Sequence, residues 1–515
     1  MFSRVQTGSV IGVDAITVSV EVDLGPGIQT FSIVGLPEGA VREARVRVKS
    51  ALENAGFSWP ECRVSINLAP ADVRKDGTGF DLPIALATMA ADGIFKAEEL
   101  ARLERYLVVG ELSLDGQLRP VRGILPMAIA ARDRGFAGLI VAAENAVEAA
   151  LVDRIEAVGC ARLEEVVGFL RGQFQPALPV VSRGLLPPPD YPFDLADVAG
   201  QQQAKRALEV AAAGGHNLLL VGPPGSGKTM LSKRLLTILP EMTFDEALET
   251  TKVYSVAGFR NEGGLVQRRP FRSPHHTISD IGLIGGGSGM PRPGEISLAH
   301  HGILFLDELP EFRRNALEVM RQPLEEGRVT ISRSLITVVY PASIMLVGSM
   351  NPCPCGYAGS RDRACICKPD EVIRYRSRIS GPLLDRIDLQ IEVPGVRYRD
   401  LASTAARGET SATVRVRVQA ARDRQRQRFA GTATACNAQM TTREIRAHCA
   451  VDEAGHRLLE NVVDRLGMSA RAYDRILKVA RTIADLAGRE AIAASDVAEA
   501  VQYRRGMERD AGRAQ

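Results

Sequence analysis

Residues 222–229 read Gly-Pro-Pro-Gly-Ser-Gly-Lys-Thr, a complete G-x-x-x-x-G-K-[ST] loop. Such a loop works only between a buried strand and the helix that leaves it. The flanks meet that demand. Leu218-Leu219-Leu220-Val221 reads as the strand, and Met230-Leu231-Ser232-Lys233-Arg234-Leu235-Leu236 has helical spacing. The fold must therefore contain a parallel α/β unit. The backbone N–H groups of Gly222, Pro224's neighbours, Gly225, Ser226 and Gly227 can turn toward phosphates, with Pro223 and Pro224 shaping the turn, while the helix N-terminus adds partial positive charge. Lys228 would reach the β- and γ-phosphates and Thr229 would ligate Mg²⁺, so ATP and Mg²⁺ are the expected cofactors.

A second motif completes the first. Gly302-Ile303-Leu304-Phe305-Leu306-Asp307-Glu308 is an apolar strand ending in two carboxylates. Asp307 would hold the magnesium shell and Glu308 would orient the attacking water, because phosphoryl transfer needs in-line geometry and charge neutralisation. Ile344–Asn351 is another apolar strand, ending in an amide. Then come Ile379–Asp388, containing Leu384-Asp385-Arg386, and Met468–Arg475, containing Ser469-Ala470-Arg471. The order of these elements resembles AAA+ ATPases, and their wording resembles the magnesium-chelatase and MCM branch. That resemblance implies that Asn351 is sensor 1, Arg386 the arginine finger with Arg378 as its rival, and Arg471 the sensor 2 arginine. A finger acts on a neighbour's γ-phosphate, so a homohexameric ring is implied.

At 515 residues the chain exceeds one core. A net charge of only +3 restricts nucleic-acid contact to local patches. Met1–Gly8 has no signal-peptide core and no run approaches a membrane span, so a cytoplasmic protein without a membrane partner is expected. Prolines between Gln175 and Asp190 mark a linker, and Val393-Pro394-Gly395 marks a second boundary. The expected units are 1–174, α+β; 175–192, linker; 193–394, the ATPase with its parallel sheet; 395–505, a helical lid; and 506–515, a frayed tail. Overall this is an α/β protein. In the first unit, Val18–Val22, Phe31–Val34, Val64–Leu68 and Gly138–Val141 read as strands. Val41–Ala55 and Val121–Arg134 read as helices there, and Thr413–Arg428, Ser469–Ala487 and Ala494–Arg504 as helices in the last. Thr441-Thr442-Arg443-Glu444 reads as a helix start.

Gly327–Val338 reads as a hairpin with β-rich arms around a basic turn. It resembles the pre-sensor-1 hairpin of MCM-type helicases, and Arg333 matches its pore tip, where a cation would hold a DNA backbone without reading bases. Cys353, Cys355, Cys365 and Cys367 put four thiols within fifteen residues, a candidate Cys₄ site for Zn²⁺ although C-x-C is tighter than usual. Unligated thiols or a redox pair are the alternatives. His275-His276 and His300-His301 have no carboxylate or cysteine spaced nearby to complete a metal site, so hydrogen-bonding or phosphate-contact roles are expected. From Arg397 to Arg428 nine arginines meet three acids, which makes either a nucleic-acid face or a solvated lid helix.

Lys75–Ala85 and Gly110–Gly123 resemble two segments of the Lon proteolytic domain, roughly over residues 10–165. On that alignment Gly79 takes the nucleophile's position and Leu125 the lysine's, and neither can do that chemistry. The domain therefore resembles a Lon fold without its dyad. A Lon-like domain, a chelatase-type ATPase and a helical C-terminal domain, in that order, resemble the ComM (YifB) family across nearly the whole chain. The resemblance implies a hexameric, ATP-driven branch-migration helicase on single-stranded, branched or duplex DNA, serving recombination of transforming DNA. The runner-up is a magnesium-chelatase ATPase subunit driving metal insertion into a porphyrin. An ATP-dependent protease is argued against by Gly79 and Leu125.

Overall fold

The computed structural model describes every residue except 178, 180–190, 260–263, 288–289, 334–335, 361–362, 396–407, 467–468 and 505–515. Most of the expected linker, the terminal tail, and Arg397, Arg399 and Arg407 of the basic stretch lie outside the described residues.

The first region is α+β. Strand Phe2–Ile11 folds back on Asp14–Gly25, pairing Phe2 with Asp23 through Ile11 with Asp14. Val18, Val20 and Val22 alternate inward, the period-2 pattern of a half-buried strand. Arg63–Ala69 adds antiparallel and Phe31–Val34 then adds parallel to it. A smaller parallel sheet joins Tyr106–Val108, Gly138–Ala142 and Glu156–Cys160. The expected helix over 41–55 is two helices, Gly39–Arg42 and Ala44–Asn54, broken at Glu43, whose N–H caps the first turn. Helix Asp81–Ala91 is apolar on nearly every side and is buried almost throughout.

The turn between the first two strands reaches out of this region. Gly12 has φ +66°, and a Cβ there would sit 2.9 Å from Val338 Cγ1 and 3.3 Å from Val339 O, on the hairpin of the ATPase region. Only glycine supplies both that backbone conformation and that clearance.

The central sheet has five parallel strands in the order Phe271–Arg272, Ile303–Leu306, Met345–Met350, Leu218–Val221, Leu389–Glu392. Ile303–Leu306 and Met345–Met350 are buried at every position, as parallel strands covered on both faces must be. Gly222, Asp307 and Asn351 follow the carboxyl ends of three neighbouring strands, the edge where open parallel sheets place their ligands.

The last region is helical: Ser411–Arg428, Thr442–His448, Glu453–Leu466, Ala470–Leu486 and Ala494–Gln502. Thr441 and Glu444 form a reciprocal capping box at the expected start. Ile476, Ile483 and Val497 share one core with Leu218 and Leu220 of the sheet.

The basic helix turns several of its arginines inward, onto neighbouring elements. Arg422 is buried and donates to the carbonyls of Ala212 and Ala213, at the end of helix Gln202–Gly214. Arg417 pairs with Glu209 and Glu409, Arg424 donates to Asp485 O, and Arg428 pairs with buried Asp485. A helix C-terminus offers free carbonyls and partial negative charge, so guanidinium groups draw the two helices together. Formal charge counted along the chain did not reveal which way these side chains turn.

Candidate ATPase site

The phosphate loop is held in shape by its glycines. Gly225 and Gly227 lie at φ +76° and +87°, and a Cβ on Gly222 would fall 2.2 Å from Val393 O. Gly222 N–H donates to Met350 O at 3.1 Å, tying the loop to the neighbouring strand. Gln201, far upstream, donates its side-chain N–H to Ser226 O at 2.8 Å. No spacing rule pointed to that glutamine.

Lys228 opens the helix Lys228–Ile238. Its ammonium donates to Gly222 O at 2.7 Å, Pro223 O at 2.9 Å and Asn351 Oδ1 at 3.2 Å. Burial pushes its pKa down, while Asp307 and Glu308 oppose the shift. Thr229 Oγ1 donates to Asp307 Oδ2 at 2.8 Å. Ser349, which sequence reasoning missed, donates its hydroxyl to the other carboxylate oxygen. Thr229 and Asp307 are thus adjacent oxygen ligands fit for a hard divalent cation.

Glu308 sits at φ +53°, its side chain 58% exposed, and His276 Nδ1 stands 3.7 Å from its Oε2. The loop after strand Phe271–Arg272 carries that histidine. The backbone turn swings the Glu308 carboxylate out of the sheet while Asp307 stays in it, giving two adjacent acids different surroundings.

The arginines divide. Arg386 is largely buried, donates to Pro382 O at 2.8 Å and pairs with Glu325. Arg378 is half exposed and pairs with Glu311 at 2.9 Å, in the short turn that follows Glu308. Arg471 is exposed in the first turn of helix Ala470–Leu486. One turn further, Arg475 pairs with buried Asp388, which also lies 3.4 Å from His216 Nδ1 and accepts from Asn217 N–H. Burial alone would raise the Asp388 pKa, but Arg475, His216 and the Asn217 N–H outweigh it and hold the carboxyl below its ordinary range.

The expected hairpin is present: Arg328–Arg333 pairs antiparallel with Ile336–Pro341, and Arg333 opposite Ile336 is the last residue before the turn. Val329, Val338 and Tyr340 are buried at its base, and Arg333 is exposed at its tip.

The four cysteines converge, with Sγ separations of 3.4 Å for 353–355, 3.7 Å for 353–365 and 3.6 Å for 355–365. Cys367 belongs to the same group. A Cys₄ set of this kind could hold Zn²⁺.

The histidine expectation needs a correction, because the fold supplies a carboxylate that the local sequence lacked. Glu249 lies 3.3 Å from His300 Nε2 and 2.8 Å from His301 Nε2. Ser343 N–H donates to His300 Nδ1 at 3.0 Å, which puts that ring's proton on Nε2. A protonated Nε2 has no lone pair for a metal. Burial pushes the His300 pKa down to about 4, and the two imidazoles hold Glu249 below the usual carboxylate range. The cluster is a hydrogen-bonded clasp between helix Phe244–Ala257 and the start of the acidic strand.

In the first region a Cβ on Gly79 would meet Val109 Cγ1 at 3.3 Å and Val121 Cγ1 at 3.7 Å. Leu125 is fully buried. The two positions aligned with a proteolytic dyad are therefore part of an apolar wall.

Three family models match the chain: Subunit ChlI of Mg-chelatase over 20–145, Magnesium chelatase, subunit ChlI over 194–401, and its C-terminal part over 408–504. Competence protein ComM of Haemophilus influenzae is 47% identical over 96% of this chain and 96% of its own length. Protein YifB of Salmonella typhimurium is 45% identical over 97% and 96%. The chain belongs to the ComM/YifB family. The Magnesium-chelatase 67 kDa subunit of Chlorobaculum tepidum is 28% identical over only 30% of this chain and 23% of its own length. Within the ComM/YifB family this chain is a magnesium-chelatase-like AAA+ ATPase, α/β with a five-stranded parallel sheet, an α+β N-terminal region and a helical C-terminal region.

Proposed function

We propose that this protein is an ATP-driven DNA motor, a branch-migration helicase acting in the integration of transforming DNA. The observation that carries the reading is the hairpin. It lies in the chain between the acidic strand and the Asn351 strand, and exposes Arg333 beside its turn. A ring of such tips would grip a DNA backbone by charge, independent of sequence. The competence name of the Haemophilus influenzae relative supports the biological setting.

On this reading Lys228 and the loop hold ATP, Thr229 and Asp307 hold Mg²⁺, Glu308 orients water, and Asn351 senses the γ-phosphate. The acting unit is a homohexamer in the cytoplasm. Among the described residues no helix is long and apolar enough to cross a membrane. Arg386 or Arg378 serves the neighbouring subunit's site, and exposure favours Arg378, because Arg386 would first have to leave Glu325 and its burial. Arg471 acts from the lid. Residues 1–174 form the Lon-like platform, 193–394 the motor and 395–505 the lid. Zn²⁺ is the ion for the four thiols. Similarity to the chelatase subunit over 30% of this chain, against similarity to ComM over 96% of it, sets the porphyrin reading second.

The deciding experiment measures ATP turnover and four-way-junction migration with no DNA, single strands, duplex and junction. ATP turnover without migration of any junction would sink the motor reading.

A further inference from the structure

The thiol cluster and the nucleotide loop share a wall. Tetrahedral zinc with Zn–S bonds of 2.3 Å requires sulfurs about 3.8 Å apart. The sulfurs of Cys353, Cys355 and Cys365 already stand 3.4–3.7 Å apart, and the Cys367 sulfur lies in the same cluster. Two backbone donors point at them: Ala358 N–H to Cys353 Sγ at 3.2 Å and Cys355 N–H to Cys367 Sγ at 3.4 Å. Such donors complement the negative charge of metal-bound sulfurs, and soft thiolates select zinc over magnesium. Arg363, stacked on Tyr357 within the same loop, and Lys368 beside Cys367 supply cations near the resulting negative charge.

The described residues of 352–368 contain no helix or strand, and Cys353 is the only one of the four thiols that is fully buried. Yet the loop touches the nucleotide site twice. Asn351, bonded to Lys228, is two residues from Cys353. Gly356, at φ +87°, lies so close to the loop that a Cβ would sit 2.6 Å from Pro224 Cδ. Arg376 clamps the segment from the following helix by donating to Pro352 O at 3.1 Å.

We propose that one zinc ion on Cys353, Cys355, Cys365 and Cys367 braces the Pro224 side of the phosphate loop and the Asn351 amide. ATP handling then depends on a second metal that never touches the nucleotide. The proposal rests on the ATPase reading of the site and adds a structural control to it. Binding deprotonates the thiols that are not already thiolates and releases those protons to solvent; no redox step is involved.

The test uses the full-length protein. Elemental analysis should give one zinc per chain, and Cys365→Ser/Cys367→Ser should lose it. The same variant should raise KM for ATP or lower kcat by about tenfold, the usual cost of disturbing the support of a site. Gly356→Ala should keep its zinc and show a similar defect, because its methyl group pushes on Pro224 directly. If the cysteine variant fails to fold, ejecting zinc from wild-type protein with a mercurial, then restoring thiol and Zn²⁺, gives the same comparison reversibly. Absence of zinc from freshly purified protein would overturn the proposal. So would zinc-free protein with ATP parameters within about twofold of the loaded form. A wild-type chain that binds zinc but never hydrolyses ATP would instead overturn the ATPase reading, which keeps the two failures distinct.

Discussion

His276 Nδ1 stands 3.7 Å from Glu308 Oε2, so the acid proposed to orient water has an imidazole beside it from the exit of a nearby strand. The contact restrains a carboxylate that is otherwise more than half exposed. His276→Ala should lower kcat by about tenfold and leave KM for ATP unchanged, as loss of a group that orders an acid–base residue does. Steady-state turnover across ATP concentration checks it. A raised KM with intact kcat would mean that His276 holds nucleotide instead.

Lys228 and Glu308 should separate binding from chemistry. Lys228→Ala removes the cation that the loop carbonyls and Asn351 surround, and should abolish ATP binding. Glu308→Gln should keep binding and lose turnover by about 100-fold or more. Fluorescent-nucleotide binding beside phosphate release measures both. Equal loss of binding in the two variants would remove Glu308 from its role.

A finger acting between subunits can be found by mixing. Arg378→Ala and Arg386→Ala rings should each be tested alone and then mixed with Lys228→Ala subunits. The variant of the true finger should bind ATP, be inactive alone and regain part of its turnover in mixtures, where intact sites form at some interfaces. Exposure predicts this behaviour for Arg378. Arg386→Ala should instead lower stability, since it leaves Glu325 and the Pro382 carbonyl without their partner. Mixed rings that assemble but recover nothing with either variant would end the case for a finger at these positions.

Arg333→Ala should fold, assemble and keep DNA-free ATP turnover, while losing DNA stimulation and junction migration. Its DNA binding should weaken equally on all sequences and become less salt-sensitive, because fewer counterions are released. Migration at the wild-type rate would place the grip elsewhere on the motor.

Asp388 joins the helical C-terminal region to the sheet, and Arg475, His216 and the Asn217 N–H hold its carboxyl below the ordinary range. Its folded pKa is depressed, so its stabilisation is present above the ordinary aspartate pKa and fades as pH falls through that value toward the lower one. Thermal melting of wild type and Asp388→Asn should differ by a constant amount above pH about 5, and the gap should narrow progressively as pH falls below about 4. A gap that widens on acidification would contradict the pairing with Arg475.

Legibility in the sequence followed distance along the chain. The loop at 222–229 and the acids at 307–308 could be read because each works within a few consecutive residues, and the bond from Thr229 to Asp307 then joins two motifs already recognised. The hairpin at 328–341 was legible for the same reason, since its two strands are close neighbours in the chain. Ser349, Gln201 and His276 were not, because each gains its meaning only from a partner 25 or more residues away. Glu249 was missed as the partner of the histidine pair because 51 residues separate it from His300. For helix Ser411–Arg428 charge in the sequence carried no direction: Arg422 and Arg428 reach carbonyls and an acid of helices that pack only after folding.

The seat of Gly12 against Val338 and Val339 gives the hairpin a mechanical anvil. On the motor reading, a load on Arg333 would reach the first region through that turn, so a bulkier residue at position 12 is expected to disturb DNA-coupled movement more than ATP binding.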